Sequence, residues 1–231
     1  MRVLLVVSGL LLVLASPTGC TPDEALIKLP EPTLQGMTVE DAIRARRSIR
    51  SYSPDSLDLV EVSQLLFAAQ GITGKRGSRL LRAAPSAGAT YPIELYVVVG
   101  RVRGLAPGIY HYLPREHALE VVRKGEYGDS LAAVCLGQTM PREAALSIVL
   151  TAIPERTTSV YGERGLRYIY MEAGHVSQNI CLEATSLGLG AVPVGAFFDA
   201  RLRRLLGIHD ESEMSLYVNC IGRPAKRGDP K

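Results

Sequence analysis

The longest periodic segment of the sequence runs from about Tyr161 to Leu187. Apolar residues recur in it at intervals of three and four, at positions 166, 169, 173, 176, 180, 184 and 187. This spacing predicts an apolar stripe along a helix of roughly seven turns. After Glu172 the segment contains no Lys or Arg and only one more acidic residue, Glu183. We therefore expect a central helix that is buried on most of its surface.

Shorter periodic segments lie on both sides of this helix. Further helices are predicted at residues 38–47, 58–71, 129–136 and 200–206. Apolar runs predict strands at residues 93–99, 109–112, 118–122, 144–153, 191–198 and 215–221. Segment 74–82, which is rich in Gly and Arg, is expected to be a loop. Because this order contains few βαβ repeats, we expect an α+β fold in which helices flank a central mixed or antiparallel sheet.

Length and composition limit the classes of protein that fit the chain. Its 231 residues allow one domain of ordinary size, or two very small ones. Apolar residues make up 47% of the chain and charged residues 21%, which is typical of a folded globular protein. The 26 Lys and Arg residues exceed the 23 Asp and Glu residues by only three. This small surplus gives no support for nucleic-acid binding.

The N-terminus has the pattern of an export signal. An uncharged apolar run at residues 3–15 follows Arg2, which predicts a secretory signal peptide over residues 1–20. A helix of this run would be only about 20 Å long, shorter than the hydrocarbon core of about 30 Å. Cys20 lies where a bacterial lipoprotein carries its lipid, and cleavage after Ala15 is the alternative. We expect an exported protein, either periplasmic or anchored to a bacterial membrane by lipid on Cys20.

Residues 21–36 contain three prolines and no apolar periodicity, which predicts a linker. The folded domain is expected over residues 37–231. The four cysteines, at positions 20, 135, 181 and 220, have no CxxC pair and no metal-ligand spacing, so no metal site is predicted. Cys181 and Cys220 lie in apolar stretches and are expected to be buried, unreactive thiols.

Several common catalytic motifs are missing. The sequence has no GxGxxG after a strand, no phosphate-binding P-loop, no HExxH and no GxSxG. Hydrolase and nucleotide-triphosphatase activities therefore have no support in the sequence.

A cluster of basic residues lies at the end of the first predicted helix. It consists of Arg46, Arg47, Ser48 and Arg50. Guanidinium groups match phosphate oxygens, and the Ser48 hydroxyl adds a donor. The alternative is that these arginines interact with the helix dipole at a solvated C-terminus, and spacing alone favours this alternative.

Two segments of small residues are candidates for binding a flat ligand. One is PSAGATYP at residues 85–92, just before a strand, and the other is residues 190–195 after the long helix. Small side chains let backbone amides approach a ligand closely. The structural alternatives are an ordinary loop at the start of a strand and a helix cap.

Three segments in this order resemble the nitroreductase family of flavin enzymes. They are RARRSIRSY, PSAGATYPIELYVV and EAGHVSQNICLEATSLGLGAVPVGAF. The resemblance extends from Thr38 to about Pro224. It is closest to the SagB-type branch, which includes the azoline dehydrogenases of peptide maturation.

The resemblance implies a nitroreductase-like homodimer with two FMN molecules at the subunit interface. In each site the arginine cluster would hold the phosphate and ribityl chain of FMN, and Val194 and Gly195 would lie near N5 of the ring. Arg223 would close on the phosphate, with Lys226 and Arg227 as substitutes. The residues of the partner subunit that would line the isoalloxazine ring are Pro85, Ser86, Ala87 and Ala89.

The implied activity is an FMN-dependent oxidoreductase. It would move hydride from NAD(P)H or a similar donor to a small planar acceptor such as a nitroaromatic or a quinone. Azoline-oxidising members carry a Lys-Tyr pair where this chain has Val160-Tyr161, so Tyr161 is the catalytic candidate and azoline oxidation is the second choice. A non-catalytic exported flavin-binding module is the third. His175 is expected to be a core histidine with a hydrogen-bond partner rather than a proton donor.

Overall fold

A computed structural model describes residues 26–33 and 35–225. The predicted signal peptide, Cys20 with its lipid, and the substitutes Lys226 and Arg227 lie outside these residues. The strands are β1 Leu26–Lys28, β2 Leu57–Asp58, β3 Ile72–Arg76, β4 Arg79–Arg82, β5 Ile93–Val99, β6 Val102–Arg103, β7 Gly108–Leu113, β8 Ala118–Lys124, β9 Leu146–Ala152, β10 Gly190–Val194 and β11 Met214–Gly222. The helices are α1 Val39–Ala45, α2 Leu59–Gln70, α3 Gly128–Val134, α4 Met140–Glu143, α5 Glu155–Tyr161, α6 Arg164–Ser186 and α7 Asp199–Leu206.

The centre of the fold is a seven-stranded sheet with the strand order β1-β8-β7-β5-β9-β11-β10. Every neighbouring pair in it is antiparallel. Strand β9 lies between β5 and β11, and all seven of its residues are buried. The α+β class is confirmed, with an antiparallel sheet.

Helices cover both faces of this sheet. Because side chains alternate along a strand, neighbouring residues of β5 enter different cores. Val97 packs in a core that includes Leu65 of α2 and Ile169 of α6. Val98 packs in a second core with Leu131 of α3, to which α7 also contributes. The sheet is therefore the middle layer between two groups of helices.

The long helix differs from its prediction in two ways. Residues 161–187 do not form one helix, because α5 ends at Tyr161 and α6 begins only at Arg164. Gly162, with φ of 58°, makes the break possible because glycine adopts positive φ without strain. In addition, one face of α6 is open in the single chain, where Tyr170 is 58% exposed and Met171 53% exposed. The predicted burial on most sides is therefore wrong for the isolated chain.

Helix α1 and the segment at residues 74–82 also differ from the predictions. Thr38 caps α1 as expected, since its Oγ1 accepts a hydrogen bond from Asp41 N–H at 3.2 Å, but the helix ends at Ala45. The predicted loop 74–82 is mostly a β3–β4 hairpin. Gly77, with φ of 62°, lies in its turn. The basic residues of this segment thus lie on the strands of a hairpin and not in a loop.

Part of the predicted linker belongs to the sheet. Strand β1 pairs with β8 at the sheet edge. Next to it, Leu29 is buried, and its N–H donates to the His117 carbonyl at 3.0 Å. The ordered packing thus begins before Thr38. Among residues 26–33 and 35–225, no helix is long and apolar enough to span a membrane.

The cysteines within the described residues are buried and unbonded, as expected for Cys181 and Cys220. Burial raises the pKa of the Cys135 thiol to about 11 and, with a smaller contribution from Cys135, that of Cys220 to about 12. Thiols with such a pKa stay protonated at neutral pH and are poor nucleophiles.

Candidate functional site

The loop at residues 85–92 has a strained backbone. Gly88 has φ of 60°, Ala89 of 53° and Tyr91 of 46°, all in the left-handed region. Such a conformation costs a non-glycine residue about 1–2 kcal/mol. Strain of this kind persists only where the surroundings enforce it, and it is concentrated at functional sites.

A set of hydrogen bonds enforces this shape. Tyr91 N–H donates to Ser86 Oγ at 2.9 Å, which ties the two ends of the loop together. Arg79 Nη1 donates to the Gly88 carbonyl at 3.2 Å, and Arg156 Nη1 donates to that of Tyr91 at 3.1 Å. The loop is thus held from β4 and α5 at once.

The start of this loop forms one wall of a groove against α6. The groove has a volume of about 260 Å³. Its lining residues are Pro85, Ser86 and Ala87 from the loop and Tyr168, Met171, Glu172 and His175 from α6. Three of the four loop residues predicted to line a flavin therefore lie side by side in an open groove.

Tyr161, the predicted catalytic residue, lies next to the same loop. A Cβ atom added at Gly88 would be 2.7 Å from the Tyr161 hydroxyl. The Tyr161 ring also makes an edge contact with the Tyr168 ring, with centroids 5.1 Å apart. A side chain at position 88 would displace this hydroxyl, so Gly88 is required for the close approach.

Glu172 is a buried carboxyl in the groove. Glu172 is only 3% exposed, and its Oε1 atom has no hydrogen-bond partner among the described residues. Burial raises the pKa of this carboxyl to about 7, against the opposing effects of the Ser86 hydroxyl, the Arg82 guanidinium and the Gln70 amide. No role was predicted for Glu172, and the only signal for it in the sequence is an acidic residue on the helix face that carries Ile169, Ala173 and Val176.

His175 differs from its prediction. It is exposed at the groove rather than buried in the core. One turn of helix separates it from Glu172, so a small rotation of the helix decides which of the two side chains faces the interior.

The members of the arginine cluster have different surroundings. Arg47 Nη1 donates to the carbonyls of Arg44 and Arg46, at 3.0 and 2.7 Å. Arg47 thus satisfies carbonyls at the end of α1, which is the structural alternative considered for the cluster. Arg46 and Arg50 form no ion pair and no side-chain hydrogen bond with another described residue, so their guanidinium groups are available to a ligand.

The cluster runs beside the strand that leads to Val194 and Gly195. Ser48 pairs with Ala191 in a backbone bridge, and Ile49 N–H donates to the Ala191 carbonyl at 3.1 Å. Val194 is buried at the end of β10, whereas Gly195 is exposed. Gly195 lines a second groove, of about 350 Å³, together with residues of α6 that include Tyr170 and Ala173.

Arg223 is near the cluster but already has an acidic partner. Its Nη2 lies 3.0 and 3.1 Å from the two carboxylate oxygens of Glu61, and its Nε donates to the Ser56 carbonyl at 3.3 Å. Its carbonyl accepts from Ser53 N–H at 2.9 Å. The predicted role at a phosphate stays a prediction, and it requires the Glu61 pair to be shared or broken.

The two groups of predicted binding residues contact different parts of α6. The loop residues meet the helix at Glu172. Burial raises the pKa of the Cys181 thiol, nine residues further on, and the Arg46 guanidinium lies close enough to oppose this rise. Nine residues of helix correspond to about 13 Å. Within the described residues of one chain, the loop and the cluster therefore lie at separate places along α6.

Comparison with known proteins gives this arrangement a family. A family model described as "Nitroreductase family" matches residues 43–223, a range that contains the arginine cluster, the loop and α6. The chain belongs to the nitroreductase family. Members of this family are generally oxidoreductases and typically bind flavin.

Individual relatives cover most of the nitroreductase-family chain. A protein of Methanocaldococcus jannaschii named as a nitroreductase is 44% identical over 201 residues, which are 87% of this chain and 98% of that protein. A solved structure from Anabaena variabilis, described as a nitroreductase, has a TM-score of 0.77 and 32% identity, and covers 92% of this chain and 45% of its own. The microcin B17-processing protein McbC of Escherichia coli is 28% identical over 156 residues, 61% of this chain and 54% of McbC.

The strained loop yields a matched test of the Tyr161 contact. Gly88→Ala should lower the free energy of unfolding more than Gly77→Ala, because both positions have positive φ but only Gly88 faces the Tyr161 hydroxyl. Strain alone should cost about 1–2 kcal/mol at each position. Removing the hydroxyl with Tyr161→Phe should shrink the difference, as measured by urea unfolding. Equal losses at the two glycines in both backgrounds would contradict the contact.

The Glu172 carboxyl should make stability depend on pH. Its pKa in the folded chain is about 7, above the ordinary value of 4.5, so the folded chain binds more protons than the unfolded chain between these values. The free energy of unfolding should therefore fall as pH rises from 4.5 to 7, by up to about 1.4 kcal/mol per pH unit from this group. Glu172→Gln should remove this part of the slope in urea unfolding at several pH values. An unchanged slope would refute the assignment.

Proposed function

We propose that the chain is an FMN-dependent oxidoreductase that moves hydride from NAD(P)H or a similar donor to a flat acceptor such as a nitroaromatic or a quinone. The observation that carries this proposal is that one family match includes both the free guanidinium groups of the cluster and the strained loop of small residues. Bound FMN would supply hydride transfer at N5 of its ring.

The residues of the cluster fit the phosphate end of FMN. Arg46 is half-buried, and Ser48 and Arg50 are exposed. Arginine forks match phosphate oxygens in geometry and charge, and they form stronger hydrogen bonds than neutral donors do. Because Arg47 is occupied by carbonyls of α1, we assign Arg46 and Arg50 as the main phosphate ligands, with Ser48 as an additional donor.

The loop residues fit the ring of FMN. Pro85, Ser86, Ala87 and Ala89 present small side chains, and Pro85, Ser86 and Ala87 line the groove beside α6. A ring stacked on this wall would meet backbone and short side chains rather than bulky groups. Val194 and Gly195, at the end of β10, would lie near N5, where backbone groups can tune hydride transfer.

A homodimer would bring the two groups of residues together. The loop and the cluster contact different parts of α6 in one chain, and α6 exposes Tyr170 and Met171, at 58% and 53%, in the two grooves along it. Exposed apolar patches of this kind are typical of protein interfaces. We propose that a second copy covers this face, so that the loop of each chain completes the site of its partner.

Azoline oxidation is the second candidate function. The similarity to McbC, a microcin-processing protein, favours it. Val160 stands where the azoline-oxidising members carry Lys, and this argues against it because Val cannot accept a proton. If the chain converts a thiazoline peptide to the thiazole, the mass of the peptide falls by about 2 Da. Detection of this loss by mass spectrometry would favour azoline oxidation over reduction of nitroarenes and quinones.

The third candidate is an exported flavin-binding module without catalysis, since a fold does not guarantee a reaction. Bound flavin that neither NADH nor NADPH bleaches would favour it. We further propose export through the N-terminal signal, with either a periplasmic product or a lipid on Cys20. The mass of the mature N-terminus distinguishes the two.

The cofactor proposal predicts a coloured protein and selective loss of colour. The purified domain with added FMN should show absorption bands near about 370 and 450 nm, as flavoproteins do. Arg46→Ala and Arg50→Ala should each weaken FMN binding roughly tenfold to a hundredfold, because a hydrogen bond to a charged group contributes about 1.5–3 kcal/mol. The control is Arg203→Ala in α7, which should bind FMN like the wild type in a fluorescence titration. A colourless protein would end the proposal, and equal losses at all three arginines would mean that the cluster is only a helix end.

A further inference from the structure

Two neighbouring side chains, one lining the groove beside the loop and one buried behind it, each have a buried polar atom without a hydrogen-bond partner. One is Oε1 of Glu172 and the other is Nε2 of Gln70, on α2. Gln70 is fully buried, and its amide lies near enough to the Glu172 carboxyl to oppose in part the rise in pKa that burial causes. Buried polar groups are nearly always hydrogen-bonded, and exceptions are typical of catalytic sites. Two such atoms from different helices in one place indicate a function that packing alone does not require.

We propose that Glu172 holds a proton for the flavin site and delivers it through the Ser86 hydroxyl. This inference rests on the proposed function, in which the loop lines the FMN ring. Glu172 is then a positioning residue, because it would act on the bound ring only through the Ser86 side chain. Ser86 and Glu172 both line the groove, and Ser86 belongs to the loop assigned to the flavin ring.

The hydrogen bonds of Ser86 suit this role. Its Oγ accepts from Tyr91 N–H at 2.9 Å, so its own O–H is not needed to hold the loop. Burial raises the Glu172 pKa, and the Ser86 hydroxyl, which lines the same groove, opposes this rise, as expected if its O–H turns toward the ionised carboxylate. With Glu172 protonated, the carboxyl O–H can donate to Ser86 instead, and the Ser86 O–H is free to turn toward the groove. The charge of Glu172 thus sets the direction of the Ser86 donor.

The overall reaction needs such a proton. Reduction of a quinone consumes NAD(P)H and one proton and yields NAD(P)⁺ and a hydroquinone. The hydride carries two electrons and one hydrogen, and the second hydrogen must arrive as a proton. A carboxyl that is half-protonated near neutral pH can both release this proton and regain it from solvent.

The surroundings of Glu172 leave few other groups that could titrate there. The Arg82 guanidinium on β4 is the charged group that acts on Glu172, and its Nη1 donates to Gln70 Oε1 at 3.1 Å. The loop contributes only the neutral Ser86, and α2 only the neutral Gln70. On α6 itself, Tyr168 and the exposed His175 line the same groove. Burial without an adjacent acid therefore places Glu172 in the range where it exchanges protons.

The test is the midpoint potential of FMN bound to the full chain, measured from pH 5 to pH 9. In the wild type, the plot of potential against pH should show a slope change of one proton per two electrons near neutral pH, in addition to any change that the N1 proton of reduced flavin causes by itself. Glu172→Gln should remove this change while its spectrum still shows bound FMN. The matched control is Glu183→Gln, because Glu183 is another carboxyl on α6 with a raised pKa but accepts from Gln64 Nε2 at 2.6 Å, outside the groove.

The outcomes separate the two proposals. A chain that binds no FMN overturns the proposed function. A chain that binds FMN but has the same profile in wild type and Glu172→Gln overturns this inference alone, as does loss of the slope change in Glu183→Gln. Should Glu172→Gln fail to fold, Ser86→Ala decides: because the Ser86 hydroxyl lowers the Glu172 pKa, its loss should move the slope change to higher pH, and an unmoved slope change overturns the inference.

Discussion

The packing of α6 against one face of the sheet determines where the candidate binding residues lie. The helix buries Ile169, Val176 and Ile180 in the same core as α2 and the central strands. This leaves its other face to the solvent of the single chain, with one groove at the loop and another at Gly195. The two segments predicted to lie at the flavin ring thus both lie along one rigid helix of 23 residues. Their spacing is set by the sheet and not by a flexible connection.

Much of the fold could be predicted from the sequence because the signals were strong and local. Strand β9 is an uninterrupted apolar run, and Thr38 and Gly71 mark helix ends by chemistry that needs no tertiary contact. The β3–β4 hairpin was missed because its strands are short and mostly exposed, so no apolar alternation marks them. The break at Gly162 was missed because the apolar stripe begins only after it. Strand β1 was missed because three residues paired at a sheet edge have almost no periodicity.

The sequence allowed us to predict which residues belong to the candidate site, but not what their side chains contact. The segments 46–50 and 85–92 were recognised by residue type and order, yet the sequence could not show that Arg47 turns back onto α1 or that Arg223 pairs with Glu61. These contacts depend on side-chain directions set by tertiary packing. The same holds for α6, where Glu172 faces inward and His175 faces outward. The usual preference is the reverse, because histidine is buried more often than glutamate. A buried carboxyl of this kind is identified by its lack of partners, which only coordinates reveal.

The docking of β1 at the sheet edge has a geometric consequence for the proposed lipid on Cys20. Six residue steps separate Cys20 from Leu26, and a fully extended chain covers at most about 3.6 Å per step. A lipidated chain would therefore keep the β1–β8 edge within about 20 Å of the bilayer surface. Strand β10 is at the far edge of the same sheet. The groove at Gly195, which directly follows β10, would then lie at the sheet edge farther from the point of attachment.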